Sequence, residues 1–435
     1  MNAPEMKSFE LPVHTGPGTP GGALLRRYWQ PIALARHLKA NAPQPVKVMC
    51  EELVLYRDEQ GAPALIGLRC AHRRADMSYG RIEDGGLRCV YHGWLFDARG
   101  CCIEQPGEPE GGRHRDRVRM PAYPCVERAG AIWAYLGPGE PPPFPNYPVL
   151  AAPDDLRFTF RWHSNCNYLQ ANEGNIDPVH TSYLHGFSAS PEAGSDALRT
   201  GRTQRLFGAD TAPTISVRDT RTGLRLLTER RLPSGKRLLR VTNFVMPNAC
   251  AIGGAETPFG RGGMSMFWHV PIDDTSHWRV EFTFHSKVRL PKEEMEARYL
   301  EEADEHGMPR RQAGNRYLQD RDSMDRYYSG MGITFPMHDL FVTESQGAIL
   351  DRSEEHLATS DVAIGRARRL LTEAVAEVAA GRDPRGVVRD PAHNAFPDLL
   401  VASEEIDATE DADRFCAGLE SANIYEIAPA LKGTP

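Results

Sequence analysis

No apolar run in the 435 residues reaches the roughly 18 that a helix needs to cross a bilayer, which excludes a membrane-spanning helix. The opening stretch MNAPEMKSFELPVH lacks the hydrophobic core of an export signal, so a cytoplasmic protein is expected. Positive charge is not in excess. The formal net charge is −7, which argues against general nucleic-acid binding. The nine cysteines are an odd number scattered over a long chain, unlike the dense, even set of a secreted disulfide framework. Thiols in this setting point to metal binding or burial. Internal repeats, low-complexity tracts and any flavin or nicotinamide fingerprint are also absent, so reducing equivalents would have to come from another polypeptide.

What remains is an ordinary globular composition, 25% charged and 41% hydrophobic. A chain of this length buries a full core without staples and divides into two or three domains, or one small and one large. Residues 1–45 read as an N-terminal arm, with a Pro/Gly-rich start (TGPGTPGG) and part of a short helix. From 46 to 155, alternating runs such as VKVMCEELVLYRD, GLRCVYHGWLFD and GAIWAYLG are broken by Gly, Asp and Pro, the pattern of a small antiparallel β domain. Prolines 141–143 and Pro145 stiffen the exit. Residues 156–435 read as a larger domain. A strand (LRFTFRWH), a polar helical segment near 165–185 and a loop at 187–212 come first. The runs TISVRD, GLRLLTERRL, KRLLRVTNFVM, GGMSMFWHVPI and HWRVEFTFH follow, suggesting a substantial antiparallel sheet, and the chain turns helical after 290. The clearest helix spans about 361–380, with Ala367, Leu370, Leu371, Ala374, Val375 and Val378 on one face, Ser360 as N-cap and Gly381 as stop.

The sharpest motif is Cys70-x-His72, then sixteen residues, then Cys89-x-x-His92. Each half places a thiolate and an imidazole on one tight loop. Two Cys and two His suit either a structural zinc or a Rieske [2Fe–2S] cluster, in which one iron takes both histidines and the other both cysteines. Zinc fingers usually pair like with like in each half; here each half is mixed, as the cluster requires. Cys101 and Cys102 fall outside this spacing and read as ordinary loop or strand residues.

A second constellation lies in CNYLQANEGNIDPVHTSYLHGF: Asp177, His180 and His185. Asp177 and His180 share a helical face. His180 and His185 stand about 140° apart on an ideal helix, so the two imidazoles meet at one metal only if the helix bends or unwinds. Alone this spacing is weak, since Asp177 followed by Pro178 also suits a helix cap and His185 a structural role.

In this order the two motifs resemble the large (alpha) subunits of Rieske non-haem iron aromatic-ring oxygenases, nearest the phthalate 4,5-dioxygenase-like branch that includes aromatic O-demethylases. GPGTPGGALLRRYW, CVYHGWLFDARG, NYLQANEGNIDPVH and ESQGAILDRSEEHLATSD carry the resemblance over nearly the whole chain. It implies an α+β fold, a small antiparallel β Rieske domain followed by a helix-grip-like catalytic domain. It implies a [2Fe–2S] cluster on Cys70, His72, Cys89 and His92, and a mononuclear Fe(II) on two histidines and one carboxylate: His180, His185 and, far along the chain, Asp339, with Glu344, Asp322, Asp325 and Asp351 as rivals. By the same resemblance Asp177 bridges His180 to His92 of the partner subunit in a homotrimer or stacked trimers. The resemblance further implies a separate NAD(P)H-dependent reductase carrying flavin and iron–sulfur as electron donor, and O2 activated at the mononuclear iron for hydroxylation, O-demethylation or ring cis-dihydroxylation of an aromatic carboxylate. An electron-transfer Rieske protein without oxygen chemistry is the alternative of another class, disfavoured by the long chain after the cluster motif. Arg199 and Arg202 are candidates for the substrate carboxylate, with surface placement the commoner role for each, and Phe187, Trp268 and Phe335 for apolar walls, with core packing the commoner role for each. The basic run Arg113–Arg119 reads as an exposed strand edge, with reductase docking as its other reading.

Overall fold

The computed structural model describes residues 10–186, 207–253, 261–332 and 334–427. The run VKVMCEELVLYRD, continuous in sequence, folds as two antiparallel strands, Gln44–Val48 and Glu51–Arg57. The turn between them uses Met49 and Cys50 at φ 48° and 64°, a conformation that disfavours side chains other than Gly or Asn. Tertiary contact holds it: the Met49 and Cys50 amides donate to the carbonyls of Pro271 (2.8 Å) and Ile272 (2.9 Å). Pro63–Gly67 and Ala122–Tyr123 complete this sheet. A second four-stranded sheet runs Arg81–Glu83, Gly86–Arg88, Leu95–Asp97 and Cys102–Glu104. Its first hairpin turns on Asp84–Gly85, both at positive φ, the dipeptide that two-residue hairpins favour. A third sheet pairs Trp29–Leu34 with Ala131–Tyr135, and that strand with Cys125–Arg128. The short helix near the start is Pro20–Leu25, capped by the Thr19 hydroxyl.

The larger region is built on one antiparallel sheet in the order Arg157–Ser164, Ser276–His285, Gly263–Asp273, Ala249–Ile252, Arg237–Val245, Gly223–Arg231, Thr214–Asp219. Strands Arg237–Val245 and Gly263–Asp273 are buried along nearly their whole length, as expected where both faces are covered. Helices Lys292–Glu302, Phe335–Ser345, Val362–Ala379 and Ala412–Ser421 follow. The chain thus turns helical after 290 as expected, apart from strand Ala402–Ile406, which returns to pair with Arg237–Val245. Helix Val362–Ala379 buries Ala363, Ala367, Leu370, Leu371, Ala374 and Val375 and stops at Gly381 with φ 74°. Ser360 does not cap it. A 3₁₀ turn, Thr359–Asp361, leads in, and the Asp361 carboxylate accepts the Ala358 amide at 2.7 Å.

The main core runs through both regions, with Trp133 packed against Trp268 and Phe282 at ring distances of 5.2 and 5.4 Å. Trp268 is therefore a core side chain, the more ordinary of the two roles open to it. A smaller core, including Val54, Tyr56, Ile66, Met77, Leu87 and Phe96, underlies the two Cys/His loops. The basic run is exposed, but as a 3₁₀ turn at Arg115–Arg117 and not a strand edge; its one ladder contact is the isolated bridge of Arg119 to Cys101. Among the described residues no helix is long and apolar enough to cross a membrane.

Candidate metal centres

The two Cys/His loops are closed by their own backbones. The Cys70 amide donates to Ala75 O (2.8 Å) and the Arg74 amide returns to Cys70 O (2.9 Å). In the second loop the Cys89 amide donates to Trp94 O (2.9 Å) and the Gly93 amide to Cys89 O (3.0 Å). Gly93 sits at φ 75°, and a Cβ there would come within 2.7 Å of Pro106 Cγ, so the loop admits only glycine. Cys70 and Cys89 are buried, while His92 is exposed. The sulfurs face one another. Burial pushes the Cys70 thiol up to about 11, with Cys89 adding to the effect. The imidazoles are likewise paired, His72 and His92 at 4.5 Å between rings, with His72 stacked flat on Trp94 at 4.4 Å.

This pairing separates the two metal readings. Four donors on one tetrahedral zinc lie about 3.3–3.8 Å apart, given bonds near 2.0–2.3 Å. Among the described residues the one group of three or more His, Cys, Asp or Glu whose ligand atoms all fall within 4.8 Å of one another is elsewhere. Sulfurs together and imidazoles together, too spread for a single ion, fit a binuclear cluster. The buried His72 Nδ1 has no hydrogen-bond partner, which agrees with a ligating atom.

The compact group is His180, His185 and Asp339. His180 Nε2 and His185 Nε2 are 3.2 Å apart, and Asp339 Oδ1 lies 3.1 Å from His185 Nε2 and 3.7 Å from His180 Nε2. The spacing problem is solved by a break: helix His180–Tyr183 ends before His185, which sits in the following turn. Asp177 caps this segment, its Oδ1 accepting the amides of Val179 (2.8 Å) and His180 (3.4 Å), while Oδ2 lies 3.8 Å from His180 Nδ1. The fully buried Arg230 donates to Pro178 O, Thr181 Oγ1 and Ser182 Oγ at 2.6–3.3 Å and clamps the turn from beneath. Asp339 comes from helix Phe335–Ser345, which packs on helix Tyr168–Gly174. Gln170 ties the two, donating to Thr343 O (3.0 Å) and Gly347 O (2.9 Å) and accepting the Leu350 amide (2.8 Å).

The rival carboxylates are engaged or displaced. Glu344 accepts the Asn165 amide (2.7 Å) and the Tyr317 hydroxyl (2.9 Å), Asp351 accepts the Ser353 amide, and Asp322 and Asp325 lie in the exposed stretch after Asp320. Burial alone would raise the Asp339 carboxyl. The rings of His185 and His180 and the Arg279 guanidinium hold it well below the usual carboxylate range. Burial and the facing His185 ring keep His180 from charging. Two imidazole nitrogens and one carboxylate oxygen converging within 3.1–3.7 Å of one another are a donor set that, with positions left open, suits a mononuclear non-haem iron.

Several residues here escaped the sequence reading. His338 Nε2 lies 3.0 Å from Gly332 O and its Nδ1 3.0 Å from His185 Nδ1. Arg279 Nη1 lies 3.7 Å from Asp339 Oδ2 and Nη2 3.7 Å from the buried Glu281. Arg240 and Asn175 line the cleft over the group with Phe207, Phe267 and Phe335. Phe335 meets the expectation of an apolar wall, its ring 4.7 Å from that of His185. A visible signal was Arg240 itself, a charge inside the apolar run LLRVTNFV. Phe187, Arg199 and Arg202 lie outside the described residues.

Comparison with known proteins agrees with this layout. Residues 28–124 match the Rieske [2Fe-2S] domain family and residues 134–411 the LigXa C-terminal domain like family. The chain is 33% identical to the 5,5'-dehydrodivanillate O-demethylase oxygenase subunit of Sphingobium sp., over 88% of this chain and 83% of that one. It is 31% identical to the phthalate 4,5-dioxygenase oxygenase subunit of Pseudomonas putida, over 94% and 96%. The fold matches the oxygenase in an oxygenase–ferredoxin complex of carbazole 1,9a-dioxygenase, with TM-score 0.56, 18% identity, and 89% and 94% covered. A Rieske [2Fe–2S] domain is thus joined to a catalytic domain of the kind that binds mononuclear iron. The protein is an oxygenase of the Rieske non-haem iron aromatic-ring family, an alpha subunit of the branch that holds the phthalate 4,5-dioxygenase and O-demethylase oxygenase subunits.

Proposed function

We propose that this chain is the terminal oxygenase of a multicomponent system and that it hydroxylates or O-demethylates an aromatic carboxylic acid. Arg240 carries the substrate class. Its side chain is 8% exposed, it lines the cleft beside His180, His185 and Asp339, its Nε is buried without a hydrogen-bond partner, and no described carboxylate pairs with it. A buried cation left unpaired is costly, and a substrate carboxylate entering the cleft satisfies it with charge-assisted hydrogen bonds. Phe207, 5.0 Å beneath the guanidinium, fixes its plane. Arg199 and Arg202 remain candidates for the same anion.

Cys70, His72, Cys89 and His92 hold the cluster, and His180, His185 and Asp339 hold the iron. When bound, the two groups together supply stored electrons and O2 activation. The chain's own residues orient and seal. Phe267 and Phe335 exclude water from the cleft floor, Arg230 and Asp177 set the His180 turn, and Arg240 holds the acid. Electrons come from a separate protein, for which we propose an NAD(P)H-dependent flavin and iron–sulfur reductase. The assembly we propose is a homotrimer or stacked trimers in the cytoplasm, in which Asp177 links His180 to His92 of the partner subunit. The proposed division is an arm at 1–45, the cluster domain at 46–155 and the iron domain at 156–435, with strand Trp29–Leu34 of the arm lying on the cluster side.

Reductase-coupled O2 uptake across a panel of aromatic acids, methoxylated and not, tests this reading, with products identified by mass. Formaldehyde release marks demethylation and a cis-diol marks dihydroxylation. Turnover confined to uncharged compounds sinks it.

A further inference from the structure

A chain of buried hydrogen bonds runs from the cleft into the sheet without serving either metal group. Asn175 Nδ2 contacts His269 Nε2. His269 Nδ1 lies 3.1 Å from His277 Nε2, and His277 Nδ1 lies 2.8 Å from Cys166 O. Both histidines are buried, at 1% and 0% exposure, on the neighbouring strands Gly263–Asp273 and Ser276–His285. Burial holds both neutral: His277 is pushed down to about 4, and His269 lies well below its usual value.

The far end of the chain fixes every proton in it. The Cys166 carbonyl only accepts, so His277 carries its hydrogen on Nδ1 and its Nε2 is an acceptor. His269 must then donate from Nδ1, which leaves its own Nε2 an acceptor. Only the NH2 of Asn175 can donate to that atom. The orientation of this amide is therefore imposed by a carbonyl three groups away. Asn175 follows helix Tyr168–Gly174 and lines the cleft with His180, His185 and Asp339. Among the described residues no donor reaches its Oδ1, so the cleft presents an acceptor that cannot turn into a donor.

We infer that Asn175 is a specificity-determining residue that selects substrates carrying a hydrogen-bond donor, a phenolic hydroxyl in addition to the carboxylate. The inference rests on the aromatic-acid reading above. Arg240 recognises the acid, and Asn175 Oδ1 recognises a free hydroxyl and leaves an aryl ether or bare C–H at that position without a partner. An acceptor buried against such a group loses its hydrogen bond to water and gains none.

The test is equilibrium binding to the metal-loaded protein of 2-, 3- and 4-hydroxybenzoate, each against its methyl ether and against benzoate. Affinities are read as ratios within each protein, so that a general loss cancels. At least one hydroxybenzoate is expected to bind about tenfold or more tighter than its ether. That ratio should collapse towards one in Asn175→Leu. It should also collapse in His277→Phe, which leaves Asn175 in place but frees His269 to change tautomer and the amide to turn; a merely structural role for Asn175 would not make that distant change erase the preference. Where leucine disturbs folding, judged by the cluster absorption, Asn175→Ala replaces it. Equal binding of phenol and ether by the unaltered protein, or a preference that survives both variants, overturns the inference while leaving the aromatic-acid reading intact. If no benzoate of any kind binds, that reading falls and the inference falls with it.

Discussion

The Nδ1 atoms of His185 and His338 face each other at 3.0 Å. Two imidazoles in this contact need one hydrogen between them, and the surroundings decide which ring owns it. His338 must donate from Nε2 to the Gly332 carbonyl, 3.0 Å away. Burial and the neighbouring His185 push His338 down to about 3, so it has no second proton and its Nδ1 accepts. His185 therefore carries its hydrogen on Nδ1 and presents a bare Nε2 towards His180 and Asp339. Partners that fix a ligand's tautomer are worth about 10–100-fold in metal affinity. His338→Phe should lower the affinity of the mononuclear site by that order, while His338→Gln, which can accept and donate at the same two places, should restore most of it. Iron titration with retained cluster absorption is the measurement. Equal affinity in all three proteins would falsify the assignment.

Asp177 works on the other histidine through a different geometry. Its Oδ1 is committed to the Val179 and His180 amides, and its Oδ2 faces His180 Nδ1 at 3.8 Å. His180 offers Nε2 to a metal only with a hydrogen on Nδ1, a hydrogen that Oδ2 is placed to attract. In Asp177→Asn the cap survives through Oδ1, but an NH2 then confronts the N–H. Metal analysis should show both centres filled, while coupled turnover falls about 100-fold, the order expected when an orienting carboxylate is lost. Normal turnover in an iron-replete variant would remove Asp177 from the pathway.

These residues differ in how far the sequence exposes them. The cluster ligands lie within 23 positions of one another, Cys70 to His92, and spacing alone marks them; the Asp177-x-x-His180 segment is local as well but gains its meaning only behind that first motif. Asp339 is separated from His180 by six strands of the sheet, and only resemblance to a family pointed to it. Arg240, His269 and His277 sit in strands covered on both faces, where the period-two alternation that would assign a side chain to one face is erased. The Met49–Cys50 turn was invisible because the residues that usually announce a hairpin are missing; backbone bonds to Pro271 and Ile272 do that work. Strand Ala402–Ile406, with two glutamates, looks like surface and is recruited by its ladder with Arg237–Val245 and by burial of Ala402 and Ile406 beside Leu239 and Val241.

Arg240 gives a direct prediction on substrate binding. A charge-assisted hydrogen bond to a carboxylate contributes about 1.5–3 kcal/mol, so Arg240→Met should raise KM for the aromatic acid by about 10- to 150-fold. The effect should be far smaller for the primary amide of the same acid, which carries no charge. Steady-state kinetics with the acid and its amide make the comparison. If KM for both rises alike, Arg240 shapes the cleft without recognising the anion.

The buried histidine chain also sets a pH dependence of stability. His277 titrates near 4 in the folded protein, against 6.5 for an unperturbed ring, chiefly because burial disfavours its charge, with His163 and Arg279 nearby acting the same way and the Cys166 carbonyl opposing them. The folded value lies below the unfolded one, so as the pH falls the unfolded chain takes up this proton first. The stabilisation is complete above about 6.5 and is lost progressively towards 4, amounting to about 3 kcal/mol over the full window at 1.36 kcal/mol per pH unit. His277→Phe abolishes the titration and leaves the cluster and iron contributions in place. Between pH 7 and pH 5 the variant's thermal midpoint should therefore fall less steeply than that of the unaltered protein, even if it starts lower. Parallel curves would mean that His277 takes up its proton over the same pH range in the folded and the unfolded chain. The tautomers assigned to His269 and Asn175 would then lose their anchor at the Cys166 carbonyl.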